Sequence, residues 1–107
     1  MTSFNDRERA EEKKFQLSQE LEFKAQARRN KKLGLWAAGL MGLSGDEAET
    51  YAKSVIIADM AEAGDDDVFR KIRGDLDAKG VQQSDHQIRV QMAELLTEAR
   101  AEVKDGR

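Results

Sequence analysis

The chain contains no cysteine and no proline. Without cysteine it has neither disulfides nor thiolate metal sites, which fits a reducing compartment. An all-β or loop-rich fold of this size ordinarily uses proline in turns and at sheet edges, so its absence points towards helices. Aromatic residues make up only 6% of the sequence, and histidine occurs once. A lone histidine with no cysteine cannot found a typical zinc site. No apolar run approaches the ~18 residues of a membrane span, and MTSFNDRERAEEKK at the start lacks the apolar core of a signal peptide. A cytoplasmic protein is expected.

Charge, by contrast, is plentiful. Of the 107 residues 36% are charged, yet the formal net charge is only −3. Both signs are used heavily, so their local distribution matters more than their sum. Lys24, Arg28, Arg29, Lys31 and Lys32 form a basic run without acids over 24–32, and Asp59, Glu62, Asp65, Asp66 and Asp67 form an acidic run over 59–67. The two runs either meet within the fold, face separate partners or are solvated. A basic run also suits phosphate contacts. The chain as a whole is acidic, however, and no aromatic platform interleaves these cations. Nucleic-acid binding therefore ranks below protein binding.

Punctuation along the chain predicts helices near 5–42, 46–63, 66–79 and 84–104. Ser44 with Glu47, and Ser84 with Gln87, have the spacing of capping boxes. Gly42, Gly64 and Gly80 stand where helices end, and Asp65 or Asp66 is expected to cap the third helix. Apolar residues recur at helical spacing: Leu33, Trp36, Ala37, Leu40 and Leu43; Ala48, Ala52, Val55, Ile56, Met60 and Ala63; Val68, Phe69, Ile72 and Leu76; and Ile88, Met92, Leu95, Leu96, Ala99 and Val103. The expected fold is all-α: a monomeric four-helix bundle with Trp36 in its core. Gly34 and Gly39 are expected to permit close helix packing. Asp59, set among apolar positions, requires a basic partner or a place at the edge of the core.

The first helix is the exception. Before Lys24 its large apolar residues are only Phe4, Phe15, Leu17, Leu21 and Phe23. Phe4 and Phe15, eleven residues apart, share a helical face that Glu11, Ser18 and Glu22 interrupt. Such a segment buries little within its own chain. Residues 1–18 are expected to form a free or partly disordered arm, and 19–107 the bundle domain. An arm with spaced aromatics and mixed charge suits docking as a helix in a partner's groove.

Nothing in the sequence resembles a catalytic centre. Ser3, Ser18, Ser44, Ser54 and Ser84 lack a nucleophile motif, and His86 sits beside a cap. Asp65-Asp66-Asp67 lacks the alternating ligands of a calcium loop. No metal, no cofactor and no enzymatic activity are expected.

Three blocks carry a resemblance to a known family. ARRNKKLGLWAAGLMG at 27–42, GDDDVFRKIRGDLD at 64–77 and FNDRERAEEKKF at 4–15 closely resemble stretches of the bacterial zeta-subunit family, in the same order and spacing. The resemblance implies an inhibitor of the F-type ATP synthase of alphaproteobacteria. It also implies that an N-terminal segment becomes helical and wedges between catalytic subunits near the rotor. Carried onto this chain, that segment is Phe4, Asp6, Arg7, Glu8, Arg9, Ala10 and Phe15. The implied partners are the alpha, beta and gamma subunits of the catalytic head, with the protein peripheral to the inner membrane when bound. The competing reading, from the residues alone, is a helical adaptor or nucleic-acid-associated regulator working through 24–32.

Overall fold

The computed structural model describes residues 2–61 and 64–106, with side chains described at 18–60 and 64–106. It contains four helices: α1 (Thr2–Leu40), α2 (Gly45–Ala61), α3 (Asp65–Ala78) and α4 (Asp85–Lys104). Each lies within about three residues of its sequence-based position. No described helix is long and apolar enough to cross a membrane.

The helix ends show why the breaks were legible. Gly42 takes a φ of 79°, and the Leu43 N–H then reaches the Ala38 carbonyl at 2.8 Å. Gly80 repeats this at a φ of 72°, with Val81 bonding Leu76 at 2.9 Å. These are left-handed glycine terminators that satisfy otherwise orphaned carbonyls. At the start of α4 the capping box is complete: the Ser84 hydroxyl accepts from the Gln87 N–H at 3.0 Å, and the Gln87 side chain accepts from the Ser84 N–H at 3.1 Å.

Two cap expectations need correcting. No hydrogen bond joins the Ser44 and Glu47 side chains to each other's backbone; Gly45, with a φ of 57°, turns the chain between Ser44 and the right-handed part of α2. The position before α3 is Gly64, without a side-chain cap, so neither Asp65 nor Asp66 caps it. Those aspartates lie in the first helical turn, where the helix dipole favours them, and turn to arginines instead.

The core joins all four helices. Leu33 and Ala37 of α1, Val55 of α2, Val68, Ile72 and Leu76 of α3, and Ile88 and Met92 of α4 are buried together. Several members of the expected stripes stand at the margin of this core or outside it. Trp36, Leu40 and Leu95 are only partly buried and pack against the cluster's side. Phe69 is likewise at the margin, with its ring covered by the Arg89 guanidinium at 4.0 Å. Met60, the penultimate residue of α2, is outside it at 73% exposure. Expectations that fall on residues 62 and 63 lie outside the described residues.

Helix α1 has 39 residues, against 17, 14 and 20 for the other three. At 1.5 Å per residue it is about 58 Å long, which accounts for most of the molecule's 65 Å long dimension. None of its companions is long enough to accompany it throughout.

Candidate partner-binding site: the first helix and its seat

Phe4, Asp6, Arg7, Glu8, Arg9, Ala10 and Phe15 all fall on α1, whose backbone is helical from Thr2. Their side chains lie outside the described residues. What the structure does describe is the seat that holds the rest of this helix.

The seat begins beside the end of α4. Ser18, Leu21 and Glu22 line a small groove with Arg100 and Lys104. Leu21 and Phe23 remain 38% and 69% exposed, as expected where no neighbour covers them. Further along, Ala25, Leu33, Ala37 and Ala38 are buried. Gly34 lets the backbones of α1 and α2 approach closely, whereas Gly39 faces open space, contrary to the packing role expected for it.

Two polar residues share this seat. Arg29 and Asn30 are each only 1% exposed. The Arg29 Nε donates to the Asn30 Oδ1 at 2.8 Å, and its Nη2 donates to Asp65 at 2.8 Å. The Asn30 amide in turn donates to Asp59 at 2.8 Å, and Asp59 also accepts from the Gly64 N–H at 3.4 Å. Of the two places open to Asp59, it takes the edge of the core, half-buried, with the neutral Asn30 amide rather than a cation opposite it. No described buried side-chain polar atom lacks a hydrogen bond, as burial requires. One network therefore ties α1 to α2, to the turn after it and to the start of α3.

The acidic and basic runs meet here in part. Three of the remaining cations of 24–32 face other acids. Lys32 bonds to Glu102 at 2.6 Å and also to Glu98, Arg28 reaches Glu102 at 3.4 Å, and Lys31 lies 3.9 Å from Glu49 of α2. Lys24 is exposed beside Phe23 and Ala27. Closer to the start of α1, the Arg100 guanidinium holds Glu22 through Nε at 3.0 Å and Nη2 at 2.6 Å. The pairs of Glu22, Arg28 and Lys32 make a ladder between α1 and the last turns of α4. Hydrogen bonds from Arg100 depress the Glu22 carboxyl below its ordinary range, and Lys32 does the same for Glu102. Solvent screens partly exposed pairs of this kind and leaves each of them weak, so the ladder guides the two helices rather than holding the fold.

Helix α3 is fastened by its own set of polar contacts. The Tyr51 hydroxyl donates to Asp75 at 2.7 Å, and Lys71 reaches the same carboxylate at 3.0 Å. Burial first, and Asp75 second, raise the Tyr51 phenol well above its usual range. Arg89 bonds Asp66 at 2.9 Å, and Arg70 pairs with Asp67. The three consecutive aspartates are thus divided among three arginines. No cluster able to hold a metal ion occurs among the described residues. His86 is exposed at the start of α4.

The sequence left open whether the basic run meets the acidic one, which it does through Arg29 and Asp65; it did not mark Arg29 and Asn30 as the buried members. A signal was present. Ala25, Arg29, Leu33 and Ala37 recur every four residues, so Arg29 lies on the buried stripe.

The chain is similar to a solved protein structure determined by solution NMR. The two are 46% identical and superimpose with a TM-score of 0.70, over 81% of this chain and 99% of that one. Among curated proteins none matches. The family model described as ATPase inhibitor subunit zeta matches residues 1–102. That span takes in the arm, the buried network and nearly all of α4. A member of such a family regulates an ATP synthase and is not an enzyme; on a match of this extent, the chain belongs to the ATPase inhibitor subunit zeta family.

Proposed function

We propose that the chain inhibits ATP hydrolysis by the F-type ATP synthase by inserting the N-terminal part of α1 between catalytic subunits near the rotor. Residues 1–18 are the inserting arm and 19–107 the bundle that stays outside. Phe4 and Phe15 serve as apolar anchors, and Arg7 and Arg9 supply charge-assisted hydrogen bonds, with Asp6, Glu8 and Ala10 on the same segment. The partners are the alpha, beta and gamma subunits. The free protein is a monomer and, when bound, lies peripheral to the inner membrane.

The observation that carries this reading is the length of α1. Residues 2–17 precede the first seat residue, Ser18, and amount to about 24 Å of helix, on a rod whose other half is built into the bundle. A rod gripped at one end resists displacement, which a mechanical block of rotation requires. The adaptor reading draws little support from the basic run, since Arg28, Arg29, Lys31 and Lys32 all face carboxylates of the chain itself.

The test is paired hydrolysis and synthesis rates on membranes bearing the synthase, with intact protein and protein lacking residues 1–14. Intact protein is expected to slow hydrolysis more than synthesis, and the truncated protein to slow neither. Equal inhibition by both would move the functional contact onto the bundle.

A further inference from the structure

We infer that Arg29 and Asn30 are positioning residues: their buried network locks the rotation and axial register of α1 against α2 and α3, and so sets the direction in which the arm leaves the bundle. Its functional half rests on the reading of the arm given above.

The contacts of α1 differ in how well they define register. Its closest approach to α2 is through Gly34, which fixes how near the two helices come, and the buried apolar positions around it are Ala25, Leu33, Ala37 and Ala38. Leu33 is the one large side chain among them, and the alanines alone define register weakly. The outer ladder is built from Glu22, Arg28 and Lys32 facing Glu98, Arg100 and Glu102. Long, partly exposed side chains of this kind follow a shifted helix by changing rotamer, and each pair is worth little. The Arg29–Asn30 network cannot follow. Asn30 is short, and its amide meets Asp59 at 2.8 Å. The Arg29 guanidinium is planar and spends two faces of its fork at once, on Asn30 and on Asp65. A displaced helix would leave these groups buried without partners, which is the condition that costs most.

A buried polar network is a poor source of net stability, since apolar replacement is often neutral or stabilising. Its best-attested use is to specify register, as a single buried asparagine does in a coiled coil. The position of this one suits that use. It joins α1, α2 and α3 where α2 ends and α3 begins, 11 residues beyond Ser18 on the same helix. A slip of one residue in register turns a helix by about 100° and moves it by about 1.5 Å. Transmitted along α1, that slip would turn and shift its N-terminal part by the same amounts.

The test replaces the network by apolar groups, with Arg29→Met, Asn30→Leu and Asp59→Leu together. Because the chain has no cysteine, spin labels at Glu20→Cys and Lys53→Cys report the placement of α1 on α2; both side chains are exposed and remote from the network. The parent should give a narrow distance distribution. The variant should melt cooperatively near the parent temperature yet give a broadened or shifted distribution. Its half-inhibitory concentration for ATP hydrolysis should rise about tenfold, as when the competent register falls to about a tenth of the population. If the triple variant does not fold, Asn30→Leu with Asp59→Leu, which leaves the Arg29–Asp65 pair, takes its place and should still broaden the distribution. An unchanged distribution in a folded variant overturns the lock. A changed distribution with an unchanged inhibitory concentration overturns its role in aiming the arm. Parent protein that fails to inhibit refutes the arm reading itself, while the distances still judge the lock.

Discussion

Gly34 lies against Ala52 so closely that a methyl group on it would stand 2.6 Å from the Ala52 Cα and 3.1 Å from its Cβ. The obstacle is backbone, which cannot swing aside. Gly34→Ala is therefore expected to force α1 and α2 apart and to cost about 1–3 kcal/mol. At Gly39 and Gly74 an added Cβ meets nothing within 4 Å. Alanine at Gly74, in the middle of α3, should instead stabilise by about 1 kcal/mol. Thermal melting of the two variants, moving in opposite directions, checks the assignment.

Trp36 packs against the core without entering it. Trp36→Ala should cost about 3 kcal/mol, the low end for truncation of a large aromatic. Phe23, 69% exposed, should tolerate alanine within about 0.5 kcal/mol. Chemical denaturation of both variants distinguishes them, and equal losses would contradict the burial described.

Only one of the two capping signatures is formed. Ser84→Ala removes an acceptor that bonds the Gln87 N–H and should cost about 1 kcal/mol. Ser44→Ala removes no such bond and should stay within about 0.5 kcal/mol. The difference in midpoint between the two alanine variants is the measurement.

Acid should weaken the union of α1 and α4 in particular. Arg100 lowers the Glu22 carboxyl and Lys32 lowers that of Glu102, both from an ordinary value of 4.5. A group whose pKa is depressed by folding stabilises fully above its unfolded value and loses that contribution as pH falls through the folded one. Urea midpoints should therefore be flat above about pH 5 and fall below pH 4.5 from these groups. In Glu22→Gln with Glu102→Gln, the acid limb should be shallower.

The helices and their breaks were legible because local chemistry writes them. Gly42 and Gly80 terminate helices by their own backbone freedom, and Ser84 with Gln87 completes a cap within four residues. Leu33, Val55, Ile72 and Ile88 are buried at the periods that marked them. What remained hidden depends on which helix lies opposite. For Asp59 a cation partner and a place at the core's edge were both open; the meeting of α1 with α2 decides for the edge, opposite Asn30, 29 residues away. Arg29 resembled its basic neighbours in composition and differs from them only in direction. Ser44 failed for a local reason instead: its spacing to Glu47 is right, but the following Gly45 turns the chain away.

The ladder between α1 and α4 joins residues far apart in the sequence; Glu22 meets Arg100 across 78 positions. During synthesis α1 emerges first and has only α2 and then α3 to lean on, while the ladder waits until α4 has left the ribosome. Loop closure over that distance is slow compared with forming any single helix. The middle of α1 is thus joined to its last neighbour only at the final step of maturation, so a nascent chain or one cut before α4 would present α1 without that clasp.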